Sequence, residues 1–168
     1  MRKLVCLAVA AAILPVSAAA QPRPRALAAP PAAECARLQQ QLQPALPRPL
    51  TRATAEVRYF SGELDVSGPG CVLTARGTLN QFDGDGRYWE RLQARIRAAG
   101  FRFDPGMSAD GGGGSVIGFR RADRYLSAMY EEDDGGMCDP AGPPGGNCEL
   151  PPERTRVTVQ VGLAVARP

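Results

Sequence analysis

The spacing of apolar residues changes several times along the chain, and each change predicts a different element. Between residues 33 and 46 the apolar positions recur every three or four residues, the period of a helix with one buried face. They are Cys35, Leu38, Leu42 and Ala45. Pro44 and Pro47 close this segment, because proline cannot continue a helix. The pattern therefore predicts a first helix with Cys35 on its buried side.

Alternating apolar and polar residues predict two strands after this helix. One face of the first strand carries Ala53, Ala55, Val57 and Tyr59. We interpret residues 61–62 as a bulge, after which Leu64 and Val66 continue the same strand. Residues 67–70, Ser-Gly-Pro-Gly, are typical of a turn and lead into a second strand beginning at Cys71. Cys71 is then expected to face the layer that the first helix covers.

The clearest apolar stripe in the chain follows and predicts a second helix. Its members are Trp89, Leu92, Ile96 and Ala99. We expect Asp83 or Asp85 to cap the first turn, because short acidic side chains accept hydrogen bonds from the free N–H groups at a helix start. Gly100 marks the end of the helix, since glycine readily adopts the left-handed conformation found there.

Short strands are expected in the remainder of the chain. One begins at Phe101, and the glycine-rich residues 104–115 are interpreted as a loop. Residues 116–120 and 125–131 predict a hairpin that turns near Ala122 and Asp123. The last strand, residues 156–166, alternates strictly, and one of its faces carries Val157, Val159, Val161, Leu163 and Val165.

The order of these elements predicts an α+β fold. We expect a two-layer domain in which an antiparallel sheet of about five or six strands carries two helices packed on one face. This single domain spans residues 32–168. Residues 21–31 precede it and predict a disordered tether, because their prolines and small residues cannot bury apolar surface.

The first twenty residues have the pattern of a secretory signal peptide. Arg2 and Lys3 are followed by an apolar stretch from residue 4 to residue 16 and by small residues ending at Ala20. A helix that spans a bilayer needs about 20 apolar residues, so this stretch is too short to anchor the chain. We expect residues 1–20 to be removed on export, with no stable membrane insertion afterwards.

Export changes the interpretation of the cysteines beyond the signal peptide. An even number of cysteines in a small exported domain is typical of a disulfide framework. The positions of the first helix and the second strand favour a bond between Cys35 and Cys71. Cys138 and Cys148 are then expected to close a loop, residues 138–148, that is rich in proline and glycine. A zinc site is disfavoured because the chain has no CxxC pair and no histidine.

Composition indicates a source and excludes two kinds of partner. The formal charge of +3 falls to +1 when Arg2 and Lys3 are removed, a balance that predicts neither nucleic-acid binding nor membrane adsorption. Lys3 is the only lysine, while alanine, arginine, glycine and proline are abundant. That bias is typical of a GC-rich bacterial genome, so we expect a periplasmic or secreted protein.

The residue types present exclude several catalytic mechanisms. Without histidine there is no imidazole-based triad or histidine-ligated metal site. Oxidised cysteines are not nucleophiles, and the chain beyond the signal peptide has no lysine. A pair of carboxylates is the remaining mechanism for a hydrolase, with four candidate residues: Glu56, Glu63, Asp83 and Asp85. We assign no catalytic, cofactor-binding or metal-binding residue.

The second helix also carries a stripe of three arginines, Arg87, Arg91 and Arg95, at intervals of four residues. Like charges at this spacing cost a helix stability. We interpret the stripe as a candidate surface for an anionic partner or an envelope protein. An ordinary solvated face, neutralised by acids distant in sequence, is the alternative interpretation.

These observations favour a non-enzymatic exported domain. Such a domain would act in the bacterial periplasm as a binding, inhibitor or envelope accessory protein. One alternative is a carboxylate-based hydrolase of cell-wall glycan. Another is a structural or stress-response envelope protein without a specific ligand.

Overall fold

The computed structural model describes residues 26–62, 64–84, 86–111, 113–133 and 150–167. The predicted signal peptide, Glu63, Asp85 and the predicted 138–148 loop lie outside these ranges. The α-helices of the described part are α1, Ala32–Leu42, and α2, Arg87–Ala98. Both are too short and too polar to cross a membrane.

Strands make up most of the described chain. They are β1 (Ala26–Ala28), β2 (Thr51–Ser61), β3 (Leu64–Thr78), β4 (Arg102–Gly111), β5 (Gly114–Arg121), β6 (Arg124–Asp133) and β7 (Arg156–Arg167). They form one antiparallel sheet in the order β2-β3-β7-β6-β5-β4. The short β1 pairs with the C-terminal end of β7, beyond the point where β3 and β7 part.

The predicted α+β two-layer fold is confirmed, because α1 and α2 both pack on one face of this sheet. The apolar stripes of the helices meet the strands in a single core cluster. Leu38 and Leu42 of α1, together with Leu92 and Ile96 of α2, are at most 3% exposed. The alternating face of β7 completes this core with Val157, Val159, Val161 and Leu163.

The first helix ends close to its predicted limit. The α-helix stops at Leu42, and a 3₁₀ helix, Gln43–Ala45, continues it for a short distance. Pro44 has no N–H to donate to the helical hydrogen-bond ladder, which explains the change at this point. Ala45 is still buried, as the helical spacing predicts.

The turn of the β2–β3 hairpin was predicted at the wrong place. The strands pair up to Ser61 and Leu64, and Gly62 between them has a φ of +58°, whereas residues 67–70 lie within β3. Gly68 and Gly70 lie inside β3. Glycine is needed at both positions because other backbone segments approach them closely. A Cβ on Gly68 would collide with the carbonyl oxygen of Leu27, and one on Gly70 would lie 2.8 Å from the carbonyl oxygen of Leu163. These glycines permit close packing within a long strand.

The loop predicted for residues 104–115 is also wrong. The segment forms the second half of β4 and the start of β5, with an irregular register between Asp104 and Ser108. The strands pair up to Gly111 and Gly114. Gly113 therefore lies in the turn of a hairpin.

The disorder predicted for residues 21–31 does not hold beyond residue 25. Ala26–Ala28 forms β1, and Leu27 is only 2% exposed. Its side chain packs on the sheet face opposite the helices. The buried side chain of Leu27 and the backbone pairing of β1 with β7 hold this short segment in place.

The start of α2 differs from the predicted cap. Its N-cap residue is Gly86, with no capping hydrogen bond from a side chain. Asp83 instead forms an ion pair with Arg91. Tyr88 is buried beside Leu92 and Ile96, while Trp89 is only partly buried. The buried face of α2 is therefore centred on Tyr88, Leu92 and Ile96, and is rotated slightly from the predicted face that includes Trp89.

Cys35 and Cys71 lie at disulfide distance, with their Cα atoms 6.0 Å apart. Both side chains are buried in the core between α1 and the sheet. The bond links the first helix to β3, as the two apolar patterns predict. It connects residues 36 positions apart in sequence.

Replacing both Cys35 and Cys71 by alanine should lower the free energy of unfolding by about 2 to 5 kcal/mol, because the unfolded chain gains conformational freedom. Urea unfolding of the wild type and the variant measures this difference. A digest under non-reducing conditions provides the control and should connect the peptides that contain Cys35 and Cys71. A digest that connects Cys35 to a different cysteine would contradict the assignment.

Candidate functional site

The second face of the sheet is covered by the end of the β2–β3 hairpin. Val57 and Tyr59, near the end of β2, are at most 3% exposed. They form a second buried cluster, on the side away from the helices. Its other buried members are Leu27, Val66, Met107, Tyr125 and Ala164. The hairpin therefore folds back over a face that was expected to be open to solvent.

Two glycines in the sheet make room for this hairpin. A Cβ on Gly118 of β5 would lie 2.6 Å from Met107 Cβ and 2.8 Å from Tyr59 Oη. A Cβ on Gly162 of β7 would lie 3.0 Å from Val57 Cγ2. Side chains at these two positions would hold the hairpin away from the sheet, because atoms cannot approach so closely without displacement.

Asp104 fixes the hairpin to the opposite edge of the sheet. Tyr59 Oη donates a hydrogen bond of 2.8 Å to one carboxylate oxygen, and Ser61 Oγ donates one of 3.0 Å to the other. The backbone N–H of Gly106 donates to the second oxygen at 3.1 Å. Arg120 of β5 completes the network with an ion pair to Asp104. Residues from β2, β4 and β5 thus meet at one carboxylate.

The electrostatics of this network favour an ionised Asp104. Burial acts to raise the pKa of Asp104, but the hydrogen bonds from Tyr59, Ser61 and Gly106 and the charge of Arg120 outweigh it. The pKa of Asp104 is therefore below its ordinary value. Burial raises the pKa of Tyr59, so its hydroxyl remains a proton donor at neutral pH. The Arg120 guanidinium also lies over the rings of Tyr59 and Tyr125, 5.6 and 5.5 Å from their centroids.

Beside this network the hairpin and the sheet enclose a cleft of about 580 Å³. Residues from β2 to β7 contribute to it, and most of its surface is apolar. The apolar lining residues include Val57, Phe60, Val72, Met107, Ala109, Val116 and Met129. Ser127 and Gln160 add uncharged polar groups. Its size and lining are those of a small-molecule site.

Three charged residues line the cleft: Glu56 and Arg58 on β2, and Glu131 on β6. Arg58 is held by Asp65, with Nε 2.9 Å from one carboxylate oxygen and Nη2 2.6 Å from the other. Glu56 and Glu131 are both exposed. They are therefore placed at the rim and not among the buried groups.

The Tyr130 ring lies on the helix side of the sheet. It packs edge-on against Trp89, with the ring centroids 5.0 Å apart, and borders the core cluster beneath the helices. Because side chains alternate along a strand, its neighbours Met129 and Glu131 lie on the opposite face, where they line the cleft. Trp89 therefore reports on the helix layer and not on the cleft.

The predicted arginine stripe lies on the helix layer, away from the cleft. Arg87, Arg91 and Arg95 are exposed on α2. Arg91 forms an ion pair with Asp83 and donates a hydrogen bond of 3.3 Å to the carbonyl oxygen of Ala45. Arg91 is therefore already engaged by other groups of the chain. Binding of an anionic partner by the arginine stripe stays a prediction.

The structure does not bring together the predicted hydrolase carboxylates that it describes. Glu56 lines the cleft, whereas Asp83 precedes α2 in the helix layer. Glu63 and Asp85 lie outside the described residues. In the described part, no group of three or more cysteine, aspartate or glutamate side chains is arranged to hold a metal ion.

Sequence reasoning missed the cleft because it assigned only one covered face to the sheet. A signal was present in β5 and β6, where neighbouring residues are apolar on both faces. Val116 precedes Ile117, and Met129 follows Ala128. Continuous apolar runs are typical of strands that are buried on both sides. This signal could have indicated the second cluster, though not the hairpin that covers it.

Comparison with known proteins gives no assignment: no family model, no curated protein and no solved structure matches the chain. A function must therefore be argued from the geometry of the site. The cleft has both the volume and the mixed lining that ligand recognition requires.

Replacing Asp104 by asparagine should lower the free energy of unfolding by about 1 to 3 kcal/mol, because hydrogen bonds to a charged group are lost. Asp65→Asn is the matched control, since it also removes a carboxylate paired with an arginine. The side chain of Asp65 is 58% exposed and that of Asp104 is 12% exposed. Urea unfolding at pH 7 should show a much smaller loss for Asp65→Asn.

The loss in Asp104→Asn should also depend on pH. A carboxylate whose pKa is lowered by folding stabilises the protein above its unfolded pKa, about 3.9, and this stabilisation is lost as the pH falls through the lower folded value. The wild type and the variant should therefore differ by a constant amount between pH 5 and pH 7 and converge in stronger acid. A difference that grows on acidification would contradict the assigned role of Asp104.

Proposed function

We propose that this chain is an exported, non-enzymatic binding domain of the bacterial periplasm, and that the cleft opposite the helices is its binding site. The observation that carries the proposal is the cleft itself, which has a volume of about 580 Å³ and a largely apolar lining. Sites for small ligands combine such a lining with a few polar groups that set orientation. Ser127, Gln160 and the rim carboxylates supply those groups.

The positions of the carboxylates favour binding over hydrolysis. A glycosidase needs a carboxylic acid that stays protonated, usually through apolar surroundings. Glu56 and Glu131 line the cleft but are exposed to solvent. Asp104 is less exposed, but its two oxygens are occupied by hydrogen bonds that join strands. Its role is therefore structural.

The covalent and polar links of the fold favour a cleft that exists before the ligand arrives. The Cys35–Cys71 link fixes α1 to β3, and Asp104 fixes β2 to β4 and β5. A preformed site binds more tightly than one that must be ordered by the ligand, because less conformational entropy is lost. The sequence pattern of residues 1–20 and the even number of cysteines beyond it support a location outside the cytoplasm.

Binding of an uncharged hydrophobic dye tests the proposal. Nile red should gain fluorescence when it is added to the exported chain, because it enters an apolar environment. Ala109→Trp should abolish most of this gain, since Ala109 lines the cleft and a larger side chain would fill it. Ala94→Trp is the matched control: Ala94 is likewise exposed, but it lies on α2, away from the cleft.

Two results would count against the cleft as the binding site. One is an absence of dye binding to the wild-type chain. The other is an equal loss in Ala109→Trp and Ala94→Trp, with both variants folded as judged by circular dichroism. A selective loss in Ala109→Trp supports the proposal.

A further inference from the structure

We infer that the ligand of the cleft is an amphiphile with an apolar body and a cationic group. This inference rests on the proposed function, and it follows from the charges at the rim. The charged lining residues are Glu56, Arg58 and Glu131. Because Arg58 is paired with Asp65, the negative charges of Glu56 and Glu131 remain available to a ligand.

The positive charge of Arg58 is already compensated. Its guanidinium donates two hydrogen bonds to the two oxygens of Asp65. The charge of Glu56 also acts on Arg58 and helps to raise its pKa, after the larger contribution of Asp65. Asp65 of β3 therefore compensates the charge of the Arg58 guanidinium, and the charge of Glu56 remains on this side of the cleft. The arginine has little capacity left for an anionic ligand.

Glu131 adds a second negative charge on a different wall of the cleft. It belongs to β6, whereas Glu56 and Arg58 belong to β2. Within the described part of the chain, the carboxylate of Glu131 has neither a hydrogen bond nor an ion pair. A cation at the rim would therefore gain an uncompensated carboxylate, while an anion would meet repulsion from both walls.

The interior of the cleft determines the rest of the ligand. Val72, Met107, Val116 and Met129 offer an apolar surface that suits a hydrocarbon chain or ring. Methionine side chains adapt to ligands of different shapes. The aromatic residue Phe60 also lines the cleft, and aromatic rings attract quaternary ammonium groups. These features favour an apolar body with an ammonium group directed to the rim.

Three probes with the same hydrocarbon chain separate charge from hydrophobicity. Decyltrimethylammonium, decanol and decanoate are titrated into the full exported chain below their micellar concentrations, and isothermal titration calorimetry measures their affinities. The cation should bind about tenfold more tightly than decanol, and decanoate should bind most weakly. Backbone amide shifts in nuclear magnetic resonance spectra should place all bound probes near Val116 and Met129.

Two single substitutions test the carboxylates directly. Glu131→Gln and Glu56→Gln should each weaken binding of decyltrimethylammonium several-fold and leave the affinity for decanol unchanged. Glu132→Gln is the matched control, because Glu132 is an exposed neighbour on the same strand but does not line the cleft. It should leave all three affinities unchanged.

The outcomes distinguish this inference from the proposed function. Equal affinities for the three probes would overturn the preference for a cation, while Nile red binding would still support the cleft as a site. Tighter binding of decanoate, or amide shifts confined to the helix layer, would also overturn it. Failure of the chain to bind Nile red would instead count against the proposed function.

Discussion

Asp104 accepts hydrogen bonds from Tyr59, Ser61 and Gly106 and forms an ion pair with Arg120, and the second face of the sheet depends on these contacts. A two-stranded ribbon is marginally stable alone, so the end of the β2–β3 hairpin needs contacts with the rest of the sheet, which Asp104 and the buried cluster around Val57 and Tyr59 provide. With them the hairpin covers the sheet and creates the walls of the cleft. The network is only partly exposed, so an unpaired member would carry a desolvation cost.

The two faces of the sheet therefore have different surroundings. On the helix side Val159 and Val161 pack into a continuous core, while the alternating positions Gln160 and Gly162 of the same strand line the cleft. A cavity is compatible with a stable domain here, because the helix side supplies most of the buried apolar surface. The link between Cys35 and Cys71 strengthens that side and does not involve the residues that line the cleft.

Local patterns were sufficient for the helices, for the last strand and for the contact between Cys35 and Cys71, because each depends on periodicity within one segment. They failed at residues 67–70 and 104–115, where glycine and proline were interpreted as loop residues. There, glycine serves the close approach of segments distant in sequence, as at Gly68 and Leu27. The cleft could not be predicted for the same reason. Its walls come from six strands, and Asp104 joins three of them, β2, β4 and β5, through partners up to 45 residues away in sequence.

Net charge conceals how the charges of this domain are distributed. The chain beyond the predicted signal peptide has a formal charge of only +1. Yet α2 presents a row of arginines in the helix layer, whereas Glu56 and Glu131 lie at the rim of the cleft on the other side of the sheet. Charge effects on association depend on the local field and less on the total charge. A small total charge is therefore compatible with two layers of opposite local charge, and the charge of the whole chain does not describe the field at either face of the sheet.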